Sequence, residues 1–216
     1  MFGAMDGLVS NMALIAAVAG GTRGADATTV VVLAGVGGLS AGAFSMAVGE
    51  YNSVASQSEA AEREIAKERF EIAHNRVAET EELAAMYAEK GVDEHLAHEV
   101  AEQIHRDIDT AVAVHAREEF GIDPDDLASP TLAAVSSFLA FGVGAIIPVL
   151  PYLFGAGVLW PSLMLTMVAL FACGAITTHV TVRPWWFGGL RMMLLGAGAA
   201  GITYGVGLLV GGSGAL

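Results

Sequence analysis

Apolar residues in this chain come in long unbroken runs rather than in the short stripes of a soluble domain. A bilayer core of roughly 30 Å takes about 20 residues of helix, and five runs reach that length: 2–21, 27–50, 131–150, 157–181 and 186–212. No basic residues precede the first run and Asp6 interrupts it, so it reads as a spanning helix rather than a secretory signal. Residues 51–129 follow a different pattern. They are rich in Ala, Glu, Arg and Leu and predict helix, punctuated once at "EKGVDE", where Gly91 suits the position after a helix end and Asp93 the cap of the next helix. Asp26 is placed to cap the second run, and Ser129-Pro130 to cap and open the third. Pro148 and Pro151 should end or kink that third helix near its far side.

The expected architecture is an all-α membrane protein. Residues 1–50 supply transmembrane helices one and two, residues 51–129 a cytoplasmic helical domain, and residues 130–216 transmembrane helices three to five. The topology follows from the basic residues. Arg183 and Arg191 flank the loop between the last two spans, on the side that alternation also assigns to the insert, whereas the opposite side has only Arg23. The positive-inside rule therefore places the insert in the cytoplasm. Trp185 and Trp186 mark one membrane interface, and Tyr152 and Trp160 the other.

Charge sharpens this division. Of 23 acidic residues, all but Asp6, Asp26 and Glu50 lie between Glu59 and Asp126, so the net charge of -13 belongs to the insert. A nucleic-acid partner is excluded by that balance; a cationic one is favoured. The single cysteine, Cys173, sits in an apolar run and reads as a packing residue. At about 100° per residue, Glu64, Glu68, Glu71, Asn75, Glu79, Glu82 and Met86 would fall on one narrow stripe of a continuous helix. Like charges three or four residues apart repel by a few tenths of a kcal/mol each, so the seam is self-destabilising unless a cation neutralises it. The pairs Glu68/Glu71 and Glu79/Glu82 bring hard oxygen donors together, and such donors favour Mg, Ca, Mn and Fe(II). Spacing alone leaves a solvated acidic face as the ordinary reading and a metal site as the alternative.

Downstream, His95, His98, Glu102, His105 and Asp109 share a face opposite Leu96, Val100, Ile104, Ile108, Ala111 and Val114, so this histidine stripe is expected to face water. His115, Glu118 and Glu119 lie nearer the apolar side, and buried charges need partners; these three are the better ligand candidates. Within the apolar runs, Asp6, Met46 and Glu50 stand out. An ionisable residue in a spanning helix faces a cavity, a pathway or a partner, and Met46 and Glu50 are one turn apart on one face. Glycines recur at four-residue spacing at Gly38/Gly42, Gly201/Gly205 and Gly207/Gly211, which suits close packing either within one bundle or between two copies.

The segments "DGLVSN" at 6–11, "SAGAFSMAVGEYNSVASQ" at 40–57, "EELAAMYAEKGVDEHLAHEVAEQI" at 81–104, "HAREEFGI" at 115–122 and "IIPVLPY" at 146–152 resemble the vacuolar iron transporter family, in the same order and over almost the entire chain. The resemblance implies a homodimeric five-helix transporter that moves Fe2+, and in some members Mn2+, out of the cytoplasm in exchange for protons, with a helical metal-binding insert. It implies ligand roles for Glu68, Glu71, Glu79, Glu82 and Glu119, and transport roles for Asp6 and Met46. Two departures stand out. His115 and Ala116 occupy positions where plant members carry a methionine pair, so an imidazole replaces thioether ligation, and the chain starts almost at the "DGLVS" helix, without the basic amphipathic lead-in that usually precedes it.

The expectation is thus a proton-coupled exporter of Fe2+, with Mn2+ as a second substrate, and not an enzyme. Asp6, Met46 and Glu50 would line the pathway, and Glu68, Glu71, Glu79, Glu82, Glu118, Glu119 and His115 would bind metal. No resident cofactor is expected. The partners would be protons, lipid and a second copy, and the setting a bacterial inner membrane. Two other readings stay open: a membrane-anchored ferroxidase or metal buffer, for which Glu71/His74 and Glu102/His105 have the Glu-x-x-His spacing of di-iron proteins, and a metal sensor that transports nothing.

Overall fold

The computed structural model describes residues 1–22, 27–178 and 183–212, and among these there is helix but no strand. Nine helices are described: α1 (Phe2–Gly21), α2 (Ala27–His74), α3 (Arg76–Glu89), α4 (Glu94–Ile104), α5 (Ile108–Glu119), α6 (Pro130–Ile146), α7 (Leu150–Leu153), α8 (Trp160–Thr177) and α9 (Trp185–Gly212). The expected cap Asp26 and the expected topology marker Arg23 lie outside the described residues. The chain forms two compact units, one of residues 1–50 and 131–216, the other of residues 51–130.

In the first unit, α1, α2, α8 and α9 are long and apolar enough to cross a membrane, while α6 is shorter. The third apolar run is therefore broken. Its helix stops at Ile146, and Pro151 sits in the first turn of the short α7 beyond. Prolines lack the N–H that a continuing helix needs. The core comprises Met12, Ile15 and Ala16 of α1 against Val31, Val149, Tyr152 and Ala200, with a neighbouring group of Leu8, Met167 and Leu170 against which Cys173 packs. Many large apolar side chains elsewhere are exposed, among them Leu33, Phe44, Val48, Leu139, Val168 and Leu209, as expected where the surrounding solvent is lipid.

Glycines set how closely these helices approach. A Cβ added at Gly7 would lie 2.3 Å from the Phe141 carbonyl oxygen of α6, and one at Gly144 would lie 1.9 Å from the Ala4 carbonyl oxygen of α1. Both contacts are with backbone, which cannot step aside. Gly7→Ala should therefore force α1 and α6 apart and destabilise the protein by about 1–3 kcal/mol, the usual range for overpacking; a melting temperature equal to that of the wild type would refute this. The repeated glycines divide by environment. Gly38 and Gly42 press on side chains of Leu14 and Phe141, and Gly207 and Gly211 on the backbone of Ala17 and Gly21, whereas nothing lies within 4 Å of a Cβ at Gly201 or Gly205.

In the second unit the glutamate seam, which spacing allows on either one helix or two, is divided between two. Asn75 adopts non-helical dihedrals (φ -129, ψ 38) and separates α2 from α3. The break is local, since Asn75 N–H still donates to Glu71 O and its own carbonyl accepts from Glu79 N–H. The "EKGVDE" turn is as expected, with Gly91 at φ 94 and the Asp93 carboxylate accepting from the N–H groups of His95 and Leu96. A further turn at 105–107 was not expected. It ends α4 at Ile104, and Asp107 caps α5 by accepting from Thr110 N–H. The inward side of α4 is Ala97, Ala101 and His105, with Leu96 exposed, and beyond the turn, where helical phase is lost, Ile108 is exposed as well. α5 closes at Gly121 (φ 67), where Ile122 N–H returns to the Ala116 carbonyl.

Candidate metal-binding sites

In the second unit the apolar seam that holds α2 to α5 also buries a carboxylate. Ile65, Glu68 and Ile72 lie at helical spacing on one side of α2, and Ile72 packs with Ala111 and Val112 of α5. One turn beyond Ala111 on α5 come His115 and then Glu119. Glu68, His115 and Glu119 each bring a ligand atom within 4.8 Å of the other two. His115 is fully buried and Glu68 is 3% exposed.

The cluster brings two carboxylates and an imidazole within ligand reach of one another. Glu68 Oε1 lies 2.9 Å from His115 Nδ1, a hydrogen-bond distance, but the two are not aligned as a hydrogen bond and both atoms are buried without a partner. Two ligands at right angles on an ion with metal–ligand bonds of about 2.1 Å would stand about 3.0 Å apart. Burial without a partner is costly for any polar atom, and a shared divalent ion would satisfy both.

Electrostatics point the same way. Burial, and then the neighbouring Glu119, Glu79, Glu71 and Glu82, push the Glu68 carboxyl up to about 7. Partial desolvation also raises the buried Glu79, and Glu119 at the exposed edge of the cluster, reinforced in both cases by Glu82. His115 is pushed down to about 4 by burial and the adjacent His105, so at neutral pH it is an uncharged imidazole with a free lone pair. The break at Asn75 explains how the two glutamate pairs act on one centre. Along an unbroken helix Glu68 and Glu79 would be about 16 Å apart; in the folded chain each pair contributes to the field at Glu68.

The remaining candidates are distributed as follows. Glu79 is buried, Glu71 half-buried and Glu82 exposed, and Glu71 also pairs with Lys67 at 3.6 Å. Glu118 is not part of the cluster and forms an ion pair with Lys90. His74 stacks on Phe70 and bonds its carbonyl, while Glu102 is exposed beside His98. His95 and His98 face water as expected. His105 does not: it is 3% exposed, and its ring stands edge-on to His115 with centroids 5.1 Å apart. The packing of α3 is the cause: Leu83 and Ala84 cover the side of α4 that carries Ala97 and Ala101, and His105, whose N–H still donates to the Ala101 carbonyl, continues that side by one more turn.

The first unit holds a separate polar feature. Asp6, Ser10, Asn11, Ser45 and Met46 line a cavity of about 370 Å³ together with Gly38, Gly42, Leu14 and Phe141. Asn11 is buried and ties three helices together, its Nδ2 donating to the Gly35 carbonyl of α2 at 3.1 Å and the Ala145 carbonyl of α6 at 2.6 Å. Its Oδ1 is left buried without a partner. Asn11 is not among the site residues the sequence points to, although an amide in an apolar run is a signal of the same kind as Asp6. Met46 lies beside Gly3, and Glu50 is exposed and does not line the cavity.

Fold and sites together define a multi-pass, all-helical membrane protein whose more polar unit carries a buried carboxylate and imidazole cluster. The chain belongs to the VIT family, whose sequence profile matches residues 1–208. It is 38% identical over 210 residues to the vacuolar iron transporter of Acanthamoeba castellanii, covering 94% of this chain and 76% of that one. It is 30% identical over 185 residues to vacuolar iron transporter 1 of Arabidopsis thaliana, covering 84% and 72%, and 26% identical over 209 residues to vacuolar iron transporter 1 of Oryza sativa subsp. japonica, covering 95% and 82%. The family is one of transporters and not of enzymes, which sets aside the ferroxidase reading.

Proposed function

We propose that this chain exports divalent transition metal from the cytoplasm, Fe2+ first and Mn2+ second, in exchange for protons. The observation that carries the reading is the buried pair Glu68 and His115, unpartnered and with Glu119 within ligand reach. In this reading the second unit is cytoplasmic and collects the ion through those three residues, with Glu71, Glu79 and Glu82 supplying the attracting field and outer ligands. Glu118 is at most an exchange partner, since it would first have to leave Lys90. The ion then crosses past Asp6, Met46 and Glu50. Carboxylates raised toward neutrality by burial release protons when metal binds, which couples the two ions chemically.

Five spans follow if α6, with α7 beyond the proline turn, completes a crossing. A homodimer is supported by the open faces of Gly201 and Gly205 and by the exposure of Asp6, Ser10 and Ser45 on the cavity rim; the pathway would run between protomers. The setting is a bacterial inner membrane, with no resident cofactor. The names of the relatives, which specify iron, support the choice of metal. The deciding experiment is uptake of Fe2+, Mn2+, Co2+ and Zn2+ into proteoliposomes with and without an imposed pH gradient. Gradient-dependent Fe2+ uptake is expected; binding without uptake would leave the sensor reading in its place.

A further inference from the structure

His105 is a buried titratable group that the metal centre leaves unused. It follows Ile104 at the end of α4, and its Nδ1 lies 2.9 Å from the Ala101 carbonyl oxygen. A carbonyl only accepts, so Nδ1 carries the proton and Nε2 of the neutral ring keeps its lone pair. That Nε2 is buried with no hydrogen-bond partner.

His115 has the complementary deficit. An imidazole that offers Nδ1 to a cation carries its proton on Nε2, and ligating histidines almost always donate that N–H to a nearby acceptor, which fixes tautomer and ring orientation. His115 Nε2 is likewise buried without a partner. The two rings are in contact, 5.1 Å between centroids and at 89° to one another. One ring has an acceptor without a donor, and the other a donor without an acceptor.

We propose that His105 is the positioning residue of this centre: when an ion binds, the two rings, in contact but not hydrogen-bonded to each other here, turn so that His105 Nε2 accepts the Nε2 proton of His115, which presents His115 Nδ1 to the ion and so tilts the centre toward metals that favour imidazole over Mg2+ and Ca2+. The inference rests on the reading of Glu68, His115 and Glu119 as ligands. The selectivity follows from donor chemistry. An all-carboxylate centre suits Mg2+ and Ca2+, whereas an imidazole adds affinity for Fe2+, Co2+ and Zn2+.

The test uses the purified full chain in detergent, with Co2+ as the probe and Ca2+ as the comparison ion. His105→Asn keeps an amide N–H near the Nδ1 position for Ala101 but removes the acceptor at Nε2; His105→Gln returns an acceptor oxygen near it. Co2+ affinity should fall about tenfold to a hundredfold in His105→Asn, as for other groups that orient a ligand, and recover in His105→Gln, while Ca2+ affinity changes by less. The Co2+-loaded wild type should show a hyperfine-shifted, slowly exchanging Nε2 proton of His115, lost in His105→Asn and restored in His105→Gln. Wild-type Co2+ affinity together with an unchanged resonance in His105→Asn would overturn the inference, as would equal loss of Co2+ and Ca2+ in both variants. His115→Ala separates the two readings. If that variant binds Co2+ like the wild type, the centre and the role of His105 both fail; if it loses Co2+ while His105→Asn keeps it, only the role of His105 fails.

Discussion

Proteoliposomes carrying Asp6→Ala should take up Fe2+ at a rate roughly thirtyfold to a hundredfold below the wild type. A divalent ion 4 Å from one carboxylate gains roughly 8 kcal/mol at an effective dielectric constant of about 20. Desolvation offsets most of this, and a residual of about 2.0 to 2.7 kcal/mol corresponds to that loss of rate. The geometry gives Asp6 this leverage. It sits on the rim of the cavity formed with Asn11 and Met46, and the adjacent Gly7 lets α1 close on the α6 backbone. Met46→Leu is the companion variant, because it keeps the volume and removes only the thioether. It should slow Fe2+ by a smaller factor than Asp6→Ala does. Unchanged Fe2+ uptake in Asp6→Ala would remove the cavity from the pathway.

Glu68→Gln should move metal affinity and metal-free stability in opposite directions. Loss of a buried anionic ligand should weaken binding at pH 7.5 by at least the tenfold to a hundredfold typical of groups that merely orient a ligand. The same substitution should stabilise the chain in chelator. The Glu68 carboxyl is raised from an ordinary 4.5 to about 7, so between these pH values the folded state holds a proton that the unfolded state has released. Stability from this group is then present at low pH, declines as pH rises from about 4.5 to about 7, and stays low above that. Two and a half pH units correspond to a penalty on the order of 3 kcal/mol, shared among the coupled glutamates. Glu68→Gln removes the part of this slope that belongs to Glu68. Thermal unfolding in chelator at pH 5 and pH 8 measures it, and metal titration across the same range gives the counterpart: wild-type affinity should rise with pH up to about 7, as the proton on Glu68 ceases to compete. A variant that binds normally, or a wild type whose metal-free stability is flat with pH, would contradict the burial argument.

The two predictions concern features of unequal visibility. Asp6 and Met46 stand out along the chain because a lipid environment tolerates few polar groups, so each one is conspicuous within its apolar run. Glu68 is harder to distinguish. In an insert where acidic residues abound, its burial is marked only by its place between Ile65 and Ile72, and a stripe calculated for a continuous helix assigns it the same status as Glu82, which is exposed.

Helical class, the long apolar runs, the confinement of charge to 51–129, the capped turn at Asp93 and the proline interruption near Pro148 are all local consequences of residue type, and so all are legible in the chain. Bilayer thickness, proline's missing N–H and the cap's side-chain oxygen each act within a few residues. The breaks at Asn75 and at 105–107 carry no proline or glycine to announce them. They reset helical phase, so Ile108 leaves the apolar stripe and the two glutamate pairs act on one centre, while the packing of α3 on Ala97 and Ala101 turns His105 inward and Leu96 outward. The glycine repeats read alike in sequence, yet Gly207 and Gly211 meet backbone while Gly201 and Gly205 meet nothing. Burial, partnering and proximity depend on which distant segments come into contact, and periodicity along a helix holds only as far as the helix remains unbroken.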